Sequence, residues 1–209
     1  MTRTDPSIVN RLAIRVLLFL ALLISLAASC FAGAPYQTVD HTPYDRQMSR
    51  IRPVLCASSH GHKQDVSLDV VNHWIENLRA IPYGFSMEWK TPAEVQSEPA
   101  ADCKGKAVAL YDLMRGHGAD NLRLIIGKRT WISQKTHAWL EWTTAAGTYV
   151  LDPTINSSAL SAEHLGGSSY IPLYAYAGER KYRAADKTGL AQNNTDSARW
   201  AAASAPAAH

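Results

Sequence analysis

Hydrophobic positions along this chain follow two rhythms, one after the other. Leu68, Val71, Ile75 and Leu78 recur at intervals of three and four, the spacing of one helical face, so a helix is predicted over 66–80. Pro82-Tyr83-Gly84 stops it, since these residue types break a helical pattern. Residues 82–101 contain three prolines and no steady period, which predicts a structured loop. Cys103, Ala107, Leu110, Tyr111 and Met114 then share one face of a second helix, ended by Gly116-His117-Gly118. Asp102 precedes that helix as its N-cap, with a carboxylate suited to accept from the backbone N–H of Lys104 or Gly105.

After this the period becomes two. Leu122, Leu124 and Ile126 alternate with their neighbours, predicting a strand over 121–129. Two more strands are predicted over 136–143 and 148–152, joined by a hairpin at Thr144-Ala145-Ala146-Gly147. Helices first and antiparallel strands afterwards make an α+β fold. The predicted domain covers 65–186. An irregular lead-in over 33–64 precedes it, and an Ala-, Ser- and Asn-rich flexible tail over 187–209 follows.

Residues 1–32 read as a targeting segment. Arg3, Arg11 and Arg15 lie before an apolar run over 16–28, and small residues follow, the three parts of a secretory signal. The run is shorter than the roughly 20 residues that cross a bilayer core, though an uncleaved N-terminal anchor stays open. Cleavage after Ala32 and lipidation at Cys30 are two further fates. Each of them predicts that the remainder works outside the cytoplasm, in the periplasm or cell envelope, with membrane contact only through this segment.

Composition narrows the function classes. Of 209 residues, 46% are apolar and 19% charged, with a net charge of +3, values of a globular chain with a core. Lysines and arginines are scattered, so no nucleic-acid partner is expected. If Cys30 leaves or is lipidated, Cys56 and Cys103 remain. In an oxidising compartment two cysteines suggest a disulfide, but the setting of Cys103 suggests a nucleophile.

A thiol becomes reactive when its thiolate is stabilised, by a helix N-terminus and, more strongly, by an adjacent imidazolium. Cys103 has the first by its position. His137, in the second strand, is the candidate base, and Asp152, at the end of the third, its orienting carboxylate. If Trp142 pairs with Gly147, His137 stands directly across from Asp152. A loop two residues shorter makes the two diagonal neighbours, still within reach.

These residues carry a resemblance. Asp102-Cys103 and its helix, Thr136-His137-Ala138-Trp139-Leu140, and Tyr149-Val150-Leu151-Asp152-Pro153 together resemble the transglutaminase-like core. Trp89-Lys90-Thr91-Pro92-Ala93-Glu94 resembles the segment before the nucleophile in the bacterial transglutaminase-like cysteine peptidases. The likeness runs over 66–173. It implies a papain-like α+β fold, with the nucleophile helix packed on an antiparallel sheet, and acyl transfer through a thioester by Cys103, His137 and Asp152. It also implies an oxyanion hole from the backbone N–H of Cys103, with Trp89 or Gln96 as second donor. Many members carry acidic residues after the cysteine, where this chain has Lys104-Gly105-Lys106. Carboxylates that could hold calcium are thereby lost, and no cofactor is expected.

The implied function is an exported cysteine peptidase acting on peptide or amide bonds of an envelope or surface protein. Amine transfer to protein glutamine and a non-catalytic binding module are the alternatives. A rival site is Cys56, His60 and His62, with Asp65 nearby, a short sulfur–imidazole cluster of the kind that holds zinc or copper. A disulfide between Cys56 and Cys103 is the remaining option. Trp89, Trp131, Trp139 and Trp142 are candidates for a substrate groove or for the core.

Overall fold

The computed structural model describes residues 36–57 and 66–185. The targeting segment, the tail from 187, and His60, His62 and Asp65 lie outside the described residues. Two short helices, α1 (Asp45–Met48) and α2 (Arg52–Cys56), are followed by α3 (Leu68–Ala80), α4 (Pro92–Ser97) and α5 (Cys103–Gly116). Seven strands complete the described residues: β1 (Tyr36–Thr38), β2 (Leu122–Thr130), β3 (His137–Thr144), β4 (Gly147–Leu151), β5 (Leu160–Ser161), β6 (Ser169–Ala177) and β7 (Arg180–Ala184). They form one antiparallel sheet in the order β1-β7-β6-β2-β3-β4-β5. The fold is α+β.

The predicted helices and the three predicted strands form where the periodicity put them. Each helix start has a local cause. Ser67 accepts from the N–H of Val70 at the head of α3, and Asp102 accepts from Gly105 at 3.1 Å at the head of α5. Two regions differ from expectation. Within 82–101, read as a loop, Thr91 and Glu94 make a reciprocal capping box and Pro92 sits in the first turn, so α4 forms. Within the lead-in read as irregular, β1 pairs with β7, and Met48, Ile51 and Leu55 enter the core.

The sheet has a heavy face and a light one. Leu122, Leu124, Ile126, Leu140 and Trp142 pack under α5, whose Ala107, Val108, Leu110, Tyr111 and Met114 are buried against them. On the other face Ile125, Trp139, Val150, Tyr170 and Ala175 form a smaller cluster. Strand β2 is therefore covered on both sides, and its side chains read as a near-continuous apolar run. Lys106 is the exception inside α5. It is 2% exposed, and its ammonium donates to the carbonyls of Ile81 at 2.6 Å and Arg79 at 3.3 Å. A cation there satisfies carbonyls at the end of α3 that lack helical partners. Among the described residues no helix is long and apolar enough to cross a membrane.

Candidate active site

The first turn of α5 and the neighbouring ends of β3 and β4 meet at one place. Cys103 is the first residue of α5 and is 8% exposed. His137 opens β3, and Asp152 follows directly on β4, wholly buried. The hairpin between these strands pairs Thr144 with Gly147 and Leu140 with Leu151, so its loop is two residues rather than four. The directly opposed register is thereby corrected to the diagonal one. The two side chains still meet: Nε2 of His137 lies 2.7 Å from Oδ2 of Asp152.

The carboxylate is held from several sides. Its Oδ2 also accepts from the hydroxyl of Tyr170 at 2.9 Å, and its Oδ1 from the N–H of Thr154 at 3.0 Å. Burial pushes Asp152 up, but the bonds from His137, Thr154 and Tyr170 outweigh it and hold the carboxyl below its ordinary range. Burial likewise pulls His137 down. Its hydrogen bonds to Asp152 and Cys103, with the negative charge of each, win, and its pKa is pushed up to about 9. With Nε2 turned to Asp152, Nδ1 is the ring nitrogen left for the Cys103 sulfur. The ring stacks on Trp139, with centroids 6.1 Å apart, and Trp139 meets Tyr170 edge-on at 5.3 Å.

Tyr170 went unread in the sequence. It sits on β6 with φ of 51°, a left-handed conformation rare for a bulky residue, and Asn156 donates to its hydroxyl at 2.9 Å. An outlying backbone angle beside a buried charge is where strain tends to collect at working sites. No local periodicity marks such a residue; only its apposition to Asp152 does.

The two lysines after Cys103 serve different ends. Lys106 is buried against α3, as described above. Lys104 pairs with Oδ2 of Asp102, donates to the carbonyl of Ser86 at 2.9 Å, and lies 5.1 Å from the ring centre of Phe85. The outer oxygen of the cap is thus engaged by an ammonium. Among the described residues no group of three or more His, Cys, Asp or Glu is placed to hold a metal ion.

Cys56 and Cys103 are both free thiols. Cys56 lies on α2, where burial and the neighbouring Glu179 push its thiol pKa up. Of the oxyanion candidates, Gln96 is exposed on α4. Trp89 is 2% exposed, and its indole N–H is buried with no hydrogen-bond partner among the described residues. Trp139 and Trp142 are core residues as well, whereas Trp131 is 71% exposed.

No protein-family model and no curated protein sequence matches the chain. Solved structures do. A structure of Legionella pneumophila LapG superposes with a TM-score of 0.50 at 16% identity, covering 74% of this chain and 88% of that one. The fold is that of LapG. A second LapG structure, from EGTA-treated protein, also gives 0.50 at 16% identity, covering 71% of this chain and 81% of the other. The architecture shared with LapG is an antiparallel sheet with helix α5 packed on one face. At this identity the likeness to LapG concerns the fold.

Proposed function

We propose that this protein is an exported cysteine peptidase that cleaves peptide bonds of an envelope or surface protein, with Cys103 as nucleophile, His137 as acid–base and Asp152 as orienting carboxylate. The observation that carries the reading is the 2.7 Å bond from His137 to a buried Asp152, beside a thiol at a helix N-terminus. That is the geometry of an activated nucleophile. LapG, whose fold this chain shares, is a transglutaminase-like cysteine protease. Export is supported by the arginines and short apolar run of residues 1–32.

In this mechanism the Cys103 sulfur attacks the scissile carbonyl carbon and the carbonyl electron pair moves to oxygen. The Cys103 backbone N–H lies in the first helical turn, without an intrahelical acceptor, and supplies one oxyanion donor. Trp89 is the better second donor, because its buried indole N–H is unpartnered while Gln96 is exposed. Collapse of the intermediate breaks the C–N bond, and His137 gives its proton to the leaving amine. Water then attacks the thioester, His137 takes a proton from it, and the acid product leaves with the thiolate–imidazolium pair restored.

The test is cleavage of envelope proteins by wild type and Cys103→Ala, with product termini read by mass spectrometry. Loss of every cleavage in the variant is expected. Cleavage that survives it would sink the assignment, and incorporation of an added primary amine in place of water would turn the enzyme into an amine transferase. Tyr170 is a positioning residue in this scheme. Tyr170→Phe is expected to lower kcat about tenfold, the scale of one lost hydrogen bond to a charged group, while KM stays unchanged. A change in KM alone would mean that Tyr170 only packs.

A further inference from the structure

Large apolar side chains normally turn inward, yet several on the segments that lead to Cys103 and His137 turn out. Tyr83, Phe85 and Met87 are 60%, 72% and 82% exposed. They alternate with Gly84 and Ser86, which face the protein, so a strand-like segment shows its apolar side to solvent. The backbone is not loose. Tyr83 bridges to Ala101, the N–H of Gly84 donates to Ala101 at 3.3 Å, and the N–H of Ser86 donates to Asp102 at 3.2 Å. Ala101 and Asp102, to which the segment is bonded, directly precede Cys103 in the chain, so the segment runs beside the first turn of α5.

The His137 side has a second such feature. Trp131 and Ile132 are 71% and 64% exposed at the tip of the β2–β3 hairpin, whose descending strand begins at His137. That tip is also tied down: Ser133 donates its N–H to Thr130 at 3.1 Å, and the N–H of Thr130 donates to the Ser133 hydroxyl at 3.2 Å. Exposed apolar residues held on fixed backbone mark a contact surface. The two rims differ in charge. Near Phe85 the charges are paired, Lys104 with Asp102, Arg50 with Glu88 and Glu94, and Lys90 with Glu98. The hairpin carries Lys128, Arg129 and Lys135 and no carboxylate between Asp120 and Glu141.

We propose that Tyr83, Phe85 and Met87 on one side and Trp131 and Ile132 on the other form substrate rims flanking the Cys103–His137 pair, selecting an extended protein segment with aromatic or large aliphatic residues beside the scissile bond and an acidic residue toward the hairpin. This specificity rests on the cysteine peptidase reading. Continuity with the Cys103–His137 pair selects a substrate as occupant, and the unbalanced positive hairpin selects the acidic flank.

The experiment compares alkylation of Cys103 by iodoacetamide with alkylation by three peptidyl chloromethyl ketones. One bears Phe and Leu with a flanking Glu, one has Gly and Ser in place of the apolar pair, and one has Lys in place of Glu. In each the sulfur displaces halide, so the rate reads how well the rims seat the peptide. Burying one aromatic side chain corresponds to about ten- to a hundredfold in affinity. The apolar, acid-flanked probe is therefore expected to react at least tenfold faster than the Gly-Ser probe. The Lys probe should fall in between, with a difference that shrinks in high salt. Phe85→Ser and Trp131→Ser should each remove most of this advantage and leave the iodoacetamide rate unchanged.

Equal rates for all three peptidyl probes, or no effect of either substitution, would overturn the specificity while the reactive thiol stands. Failure of iodoacetamide to modify Cys103 would instead remove the peptidase reading itself. Sedimentation of the same proteins supplies the remaining arm, since a dimer that dissociates in Trp131→Ser would assign the rims to a second copy and overturn the proposal.

Discussion

His137→Ala is expected to lower kcat/KM by about a hundred- to ten-thousandfold, the range a positioned acid–base contributes. The size follows from the double duty of the imidazole. In the proposed mechanism it takes the thiol proton before attack and returns a proton to the leaving amine, and no other imidazole bonds to Asp152 among the described residues. The pH profile carries more information than the size. Burial opposes a charged His137, but the bonds to Asp152 and Cys103 prevail and bring its pKa to about 9. The proton needed by the leaving group is therefore present below about pH 9 and lost as pH rises through it, so wild-type activity should decline on that alkaline side. In His137→Ala that decline should vanish, and the residual rate should climb with pH because hydroxide is the base that remains.

Asp152→Asn separates charge from geometry. An amide keeps a polar partner for Nε2 but removes the anion that favours the imidazolium. The alkaline limb should then move down from about 9 toward the ordinary histidine value near 6.5, with kcat reduced. An alkaline limb that stays in place in Asp152→Asn would show that the carboxylate does not govern the histidine.

The largest effect on stability is expected at Gly127. A Cβ there would lie 2.2 Å from the carbonyl oxygen of Ile171, 2.4 Å from Cη2 of Trp139 and 2.9 Å from Cα of Pro172. Two of these three neighbours are backbone, and the third belongs to a fully buried indole, so none can step aside cheaply. Gly127 pairs with His137 on one side and Pro172 on the other, and the β2–β6 register shifts between Ile126 and Gly127. Gly127→Ala should therefore push β6 away from β2 and carry Tyr170 and Trp139 with it. Overpacking of this kind costs about 1–3 kcal/mol, and more where backbone must move. The expected fall in Tm is about 5–10 °C, with turnover lost beyond what the unfolded fraction explains. Gly116→Ala is the control, since nothing lies within 4 Å of its added carbon. If Gly127→Ala melts and turns over like wild type, the close approach of β6 to β2 is not required.

How much of this was legible in the chain depends on the range of the forces involved. Helix α5, its Asp102 cap and strands β2 to β4 follow from periods and caps that operate within a few residues, and they form as read. The candidate triad was legible for the same reason, since Cys103, His137 and Asp152 each sit at the end of a predictable element. Helix α4 was legible too, because Thr91-Pro92-Ala93-Glu94 is a capping box with a proline in its first turn; the signal is short and stands among prolines that suggest a loop. Strand β6 contains Pro172, which argues against an interior strand, yet β6 lies between β2 and β7. The register shift beside Gly127 accommodates it, and that depends on two strands at once.

Sequence alone determined the fold class, helix α5 and the residue types of the candidate site, because side-chain periodicity and capping are local physics. Tertiary structure decided the rest. It set the His137–Asp152 register through a two-residue turn, with Gly147 at a φ of 131°. It brought Tyr170 onto the carboxylate from 18 residues away, and it sent Lys104 to Asp102 and Lys106 to the end of α3. It also left Phe85 and Trp131 in solvent while burying Trp89, Trp139 and Trp142. Burial is a property of what packs against a residue, and for these positions the packing partners come from distant parts of the chain.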